Sequence, residues 1–132
     1  MNQQASGTFE VKMTPQSPVD TSEGVSLGRF SLAKTFRGDF EGTSSGEMLS
    51  ARTPIENSAG YVAIERVTGS LQGRSGSFVL QHSGSMTRGT PGLVITVVPD
   101  SATGALRGLA GTMTIDVVDG KHSYGFTYTL QP

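Results

Sequence analysis

Glu65 and His82 are the side chains of this 132-residue chain best suited to exchange a proton. They lie in SAGYVAIERVTGSLQGRSGSFVLQHSG, Ser58–Gly84, where two apolar-rich runs flank a centre punctuated by Gly69, Gly73 and Gly76. Repeated glycine opposes a helix there, at about 1 kcal/mol each against alanine. The β-branched and aromatic residues on either side favour a pleated, half-buried surface. The stretch therefore reads as a long hairpin that brings Glu65 and His82 onto neighbouring strands.

Alternation decides which way these groups face. Phe78, Leu80 and His82 share parity, so an inward Phe78 carries His82 inward. On the other run Glu65 falls with Tyr61, Ala63 and Val67, and Arg66 with Val62 and Ile64. Glutamate can take up a proton and go neutral, so Glu65 is expected inside and Arg66 outside. Val62 and Ile64 then face outward and need cover, most simply from another subunit. Glu41 is a third candidate for acid–base chemistry, on a strip with Asp39, Thr43, Ser45 and Glu47 that lines either a polar lumen or water. Tyr61, Phe78, Tyr124 and Tyr128 are candidate ligand-lining residues, the tyrosine hydroxyls giving an apolar pocket its polar points. Lys34, among Phe30, Leu32 and Phe36, is a candidate buried partner for a carboxylate. Each has an ordinary reading too: a hydrogen-bonded core histidine for His82, a structural ion pair for Glu65, a solvated face for Glu41 and Glu47. His122, near a turn, is expected to be exposed. His82 and His122 form no close-spaced ligand pair, so neither a metal nor a cofactor is expected.

The elements that position these groups are strands. Ala5–Met13 alternates cleanly, and Pro15 and Pro18 are expected to end it before a polar loop over Thr14–Gly24. Val25–Arg37, Phe40–Arg52 and the two arms of the glycine-rich hairpin follow, the second arm stopping near Met86. Leu93–Val98 is a continuous apolar run, expected to be buried on both faces. Ala105–Val118 and Lys121–Leu130 flank Asp119-Gly120, a hairpin signal. Eight strands with short joins and no convincing helix predict one domain over 1–132: an all-β, closed, eight-stranded antiparallel up-and-down barrel. A two-sheet sandwich is the rival.

The bulk numbers narrow the partners. With 10 Lys+Arg against 11 Asp+Glu, the net charge is -1. No basic field exists for a nucleic acid. No run of 18 apolar residues exists to span a membrane as a helix. The first ten residues lack the pattern of a secretory signal, and the chain has no cysteine, so a cytoplasmic, reducing setting is expected. Charged residues make up only 16%, which points to a surface partly covered by copies of the same chain.

Gly69–Phe78 and Gly104–Met113 both read G-x-L-x-G-x-x-G, then Ser or Thr, then a large apolar residue. Neither opens a helix, so both read as turns leading into strands rather than phosphate loops. FRGDFEG (Phe36–Gly42), YVAIERVTG (Tyr61–Gly69), the glycine run to Phe78 and QHSG (Gln81–Gly84) resemble a family of small bacterial proteins of uncharacterised function. Those proteins are related in fold to the allene oxide cyclase barrels. The resemblance spans nearly the whole chain and implies an eight-stranded barrel and frequent homo-oligomers; the outward apolar residues and low charge lead to the expectation of a dimer or trimer. It implies no activity, and no cysteine stands in for that of the cyclase pocket.

Two functions follow as expectations. One is a lumen that binds a small, largely apolar molecule, with isomerase or cyclase chemistry at Glu65 assisted by His82 or Tyr124. The other is a non-catalytic oligomeric scaffold with a side-chain-filled barrel and outward Val62, Ile64, Val94 and Val98.

Overall fold

The computed structural model describes residues 2–131, and the side chains of all of these except residues 17–19. Eight antiparallel strands run in sequence order around a closed barrel: β1 (Gln3–Asp20), β2 (Ser26–Gly38), β3 (Phe40–Arg52), β4 (Ala59–Leu71), β5 (Arg74–Thr87), β6 (Thr90–Val97), β7 (Leu109–Val118) and β8 (Lys121–Leu130). Following ladder partners from Pro15 through Phe30, Met48, Ala63, His82, Ile95, Met113 and Phe126 returns the path to β1 at Ala5. That ten-residue stagger is the tilt an eight-stranded barrel needs in order to close. No helix among the described residues is long and apolar enough to cross a membrane.

Three of the tight hairpins share one turn chemistry. Gln72-Gly73, Arg88-Gly89 and Asp119-Gly120 each place both central residues at positive φ, the backbone that matches the twist of antiparallel strands. Four sequence expectations require correction. β1 continues past Pro15 to Asp20. Its pairing with β8 ends at Phe9 opposite His122, so farther out only the β2 side carries a ladder. A proline costs least on such a half-free strand; Pro18 belongs to the same strand, its side chain outside the described residues. β6 is not buried on both faces: Val94 is 62% exposed, because it points out of the barrel between inward Leu93 and Ile95. Residues 104–106 form a short 3-10 turn before β7 rather than part of a strand. His122 is half-buried, not exposed, because its ring packs 5.1 Å from that of Phe9.

The two ends of the barrel differ. A continuous run of ring contacts, with centroid separations of 5.2–6.0 Å, leads from Phe9 in the middle of the barrel through Phe36, Phe40, Phe78 and Phe126 to Tyr128 and fills one end. The segment after β6 folds across this end. Thr103 N donates to the Ser77 carbonyl, Ser77 and Val79 N–H donate to Thr103 and Ser101 side chains, and Leu106 is fully buried. The two G-x-L-x-G-x-x-G copies meet here: a Cβ on Gly76 would lie 2.1 Å from the Thr103 carbonyl oxygen. One copy thus leaves the gap into which the segment leading to the other fits.

The opposite end is open. β6 and β7 pair only at Ile95–Met113 and Thr96–Thr112, so their outer ends separate. A cleft of about 640 Å³ lined by Phe9, Val11, Lys121 and His122 lies where β1 runs past β8.

Candidate functional site

Between the plugged end and the open mouth sit four polar side chains from four successive strands: Lys34 on β2, Ser44 on β3, Glu65 on β4 and His82 on β5. All four are buried, Glu65 completely. The Glu65 carboxylate uses both oxygens. Oε1 accepts from Ser44 Oγ at 2.6 Å, and Oε2 accepts from Lys34 Nζ at 2.8 Å and His82 Nε2 at 2.5 Å. The missing side chain at Gly46 gives this cluster its room. Gly46 lies opposite Glu65, and a Cβ there would fall 2.6 Å from Glu65 Cα and 2.8 Å from its Cβ. Lys34 lies with its ammonium 5.1 Å from the centre of the Phe9 ring, a cation–π contact that adds to the ion pair.

Burial alone would push the Glu65 carboxyl up. The hydrogen bond from His82 and the charge of Lys34, with further help from Ser44, outweigh it and hold the group at about 2. Glu65 is therefore an ion across the physiological range. It cannot donate a proton, and it is a poor base; what it can do is accept hydrogen bonds and fix its neighbours. An ionised carboxylate only accepts, so His82 Nε2 carries the hydrogen in that contact.

Tyr61 borders this cluster from the mouth side. Its ring lies over Gly84, where a Cβ would fall 2.5 Å from the ring carbon Cε1. Burial, and after it the nearby Glu65 charge, raises its hydroxyl above the ordinary value of 10.0, so it stays protonated and able to donate. Around it the inward-facing Met13, Met86, Leu93 and Val117 are 40–58% exposed. These side chains are exposed because they point into an unfilled mouth, since their strand parity matches that of the buried Leu32, His82, Ile95 and Met113.

The remaining candidates lie elsewhere. Glu41 faces outward, and its Oε2 accepts from Gly38 N–H at 2.7 Å, so it braces the β2–β3 turn. Phe78 is packed in the plugged end. Tyr124 points inward, but its hydroxyl is engaged by the Phe40 N–H at 2.9 Å and the Arg37 carbonyl at 3.1 Å. The Tyr128 hydroxyl bonds to Gln3 and Gln72. Burial raises both of these hydroxyls above their ordinary value. Lys34 contacts Glu65 rather than the mouth. Sequence reasoning missed Ser44, although a signal existed: Ser44 is polar at the same parity as Phe40 and Met48. No group of three or more His, Asp or Glu side chains able to hold a metal occurs among the described residues.

Comparison with known proteins agrees with this architecture. Comparison with curated proteins gives no match. A solved crystal structure from Shewanella oneidensis, described as a protein with unknown function from the DUF3224 family, is 51% identical. The similarity covers 100% of this chain and 99% of that one, with a TM-score of 0.96. The profile of that family, "Protein of unknown function (DUF3224)", matches residues 5–128. An eight-stranded barrel, plugged at one end and matched over nearly its whole length, therefore places this chain in the DUF3224 family.

Proposed function

We propose that the open end of the barrel binds a small, largely apolar molecule, seated on Tyr61 above the Lys34–Glu65–His82 cluster. One observation carries this reading: apolar side chains that strand parity turns inward are left half-exposed around a buried polar floor. Accessible inward apolar surface around a few fixed polar groups is the ordinary make-up of a small-molecule site. The plugged end gives the site a rigid base. Isomerase or cyclase chemistry is the finer form of this reading, with proton transfer at His82 rather than at the ionised Glu65.

A thermal-shift series with fatty acids, terpenoids and aromatic acids tests the binding. At least one class should raise the melting temperature, and Met86→Asp or Leu93→Asp should abolish the shift without lowering the melting temperature of the free protein by more than a few degrees. No shift with any class would remove the reading.

A second observation favours assembly. Outward-facing Leu49, Val62, Ile64 and Val94 lie on β3, β4 and β6, with Leu49 and Val62 paired side by side. Leu49, Val62 and Ile64 line a surface groove of about 510 Å³ flanked by the Arg29–Glu47 ion pair at 3.0 Å. Both signs of charge beside one apolar band suit a two-fold contact between copies of the chain. Light scattering at micromolar concentration should give a dimer, and Val62→Lys with Ile64→Lys should give a monomer of unchanged circular dichroism. A wild-type monomer would exclude this contact.

A further inference from the structure

His82 is only 3% exposed, and its Nε2 is committed to Glu65. Its other ring nitrogen, Nδ1, makes no hydrogen bond within the described residues. Among those residues no sealed side-chain nitrogen or oxygen is left without a partner. Nδ1 is therefore not sealed, and strand parity turns the ring toward the inner face of the barrel. Because the Glu65 carboxylate requires the hydrogen on Nε2, Nδ1 of the neutral imidazole is a bare lone pair. The tautomer is set by the carboxylate, the arrangement by which an orienting acid prepares a histidine base.

The Tyr61 hydroxyl is the complementary group. It too has no partner among the described residues, and it keeps its proton. Tyr61 pairs with Gly84, two residues along β5 from His82 and on the same face, so the donor and the lone pair belong to one patch of the inner wall. An acceptor and a donor on one patch of the inner wall, bordered by apolar side chains, call for a ligand that answers both.

Resting on the proposed ligand binding at the mouth, we propose that the site takes an apolar compound bearing an enolisable carbonyl, with His82 as the proton-abstracting catalytic residue and Glu65 as its positioning residue. The carbonyl oxygen accepts from the Tyr61 hydroxyl, and the neighbouring C–H faces Nδ1. Nδ1 takes that proton, and the C–H electron pair becomes a carbon–carbon double bond. The carbonyl π pair moves onto the oxygen, where the tyrosine hydrogen bond stabilises it. Return of the proton to the same carbon restores the ketone. Return to a carbon farther along a conjugated chain isomerises it. No oxidant, reductant or metal enters the balance.

Exchange of α-protons for deuterium reads this step directly. Methyl nonyl ketone is incubated with the whole protein in deuterium oxide, and loss of its α-proton signal is followed by NMR. Undecane, which lacks the carbonyl, serves as the binding control in thermal shift. The wild type should speed exchange about 100-fold over buffer. His82→Gln should abolish the acceleration. Glu65→Gln should lower the turnover rate while leaving the ketone concentration for half-saturation unchanged. Tyr61→Phe, a change at the half-exposed mouth, should cut the rate at least tenfold, and it decides the matter if either buried variant fails to fold. Ketone binding without exchange above the buffer rate would overturn the proton-transfer assignment and leave the binding reading standing. So would acceleration that survives both His82→Gln and Tyr61→Phe. Binding of undecane but not of the ketone would overturn the assigned ligand class. Failure of both probes to bind would overturn both readings.

Discussion

Glu65 is where burial and charge meet most sharply in this molecule. Its carboxyl is held at about 2 against an ordinary 4.5, so as pH falls the unfolded chain takes up the proton first. The stabilisation it contributes is therefore complete above about pH 4.5 and is lost as pH drops toward 2, on the order of 3 kcal/mol in all. Urea midpoints at pH 7, 4 and 3 should fall in that order, and Glu65→Gln should flatten most of the drop. Lys34→Met leaves the buried carboxylate without its cation and should cost about 3–5 kcal/mol. Combining it with Glu65→Leu should restore part of the loss, the remainder being His82 and Ser44 deprived of their acceptor at about 1–3 kcal/mol each. A double-mutant cycle by urea denaturation measures the coupling; strict additivity would show that Lys34 and Glu65 do not act as a unit. The inward placement of Glu65 was legible in the sequence from parity plus the cost of burying arginine. The Lys34 contact was legible only as a class, because it joins strands separated by β3 and depends on Gly46 having no side chain.

Among the elements, β3 shows how glycine shapes the site. A Cβ at Gly46 would meet the Ile64 carbonyl oxygen at 2.1 Å, which is backbone and cannot move aside. Gly46→Ala should therefore cost more than about 2 kcal/mol, in the range of overpacked interiors. Gly73, at φ 90°, has nothing within 4 Å of where a Cβ would lie. The same change there should lose only about 1–2 kcal/mol, the cost of a left-handed backbone. Thermal denaturation of the two variants should rank them in that order. The bounds of β3 and β8 were readable residue for residue, because Gly38-Asp39, Pro54 and Asp119-Gly120 punctuate them. The outer half of β1 was not, since Pro15 signals an end and only the one-sided pairing of that strand cancels the signal. Val94 misled for a related reason: a continuous apolar run looks the same whether its second face is covered within the chain or left facing outward.

The whole molecule divides into a half packed solid and a half whose inward side chains stay exposed, and Leu106 lies at the base of the packed one. Leu106→Ala should cost about 2–5 kcal/mol by opening a void under the aromatic run. Its effect on ligand affinity at the mouth should be small, which calorimetry with any ligand found by thermal shift would check; a large loss would mean the two halves are coupled. The eight-stranded closure itself was legible from strand count and join length. Which end is plugged was not, because that depends on the segment after β6 folding back against Gly76. The seam between β6 and β7 has a consequence for what the mouth can admit. A cylinder fastened there by two rungs can widen its rim without giving up any backbone hydrogen bond it already holds. If the mouth takes a ligand as proposed, guests of unequal breadth should fit through the same eight strands, with selectivity left to the polar pair at the bottom of the cup rather than to the width of its lip.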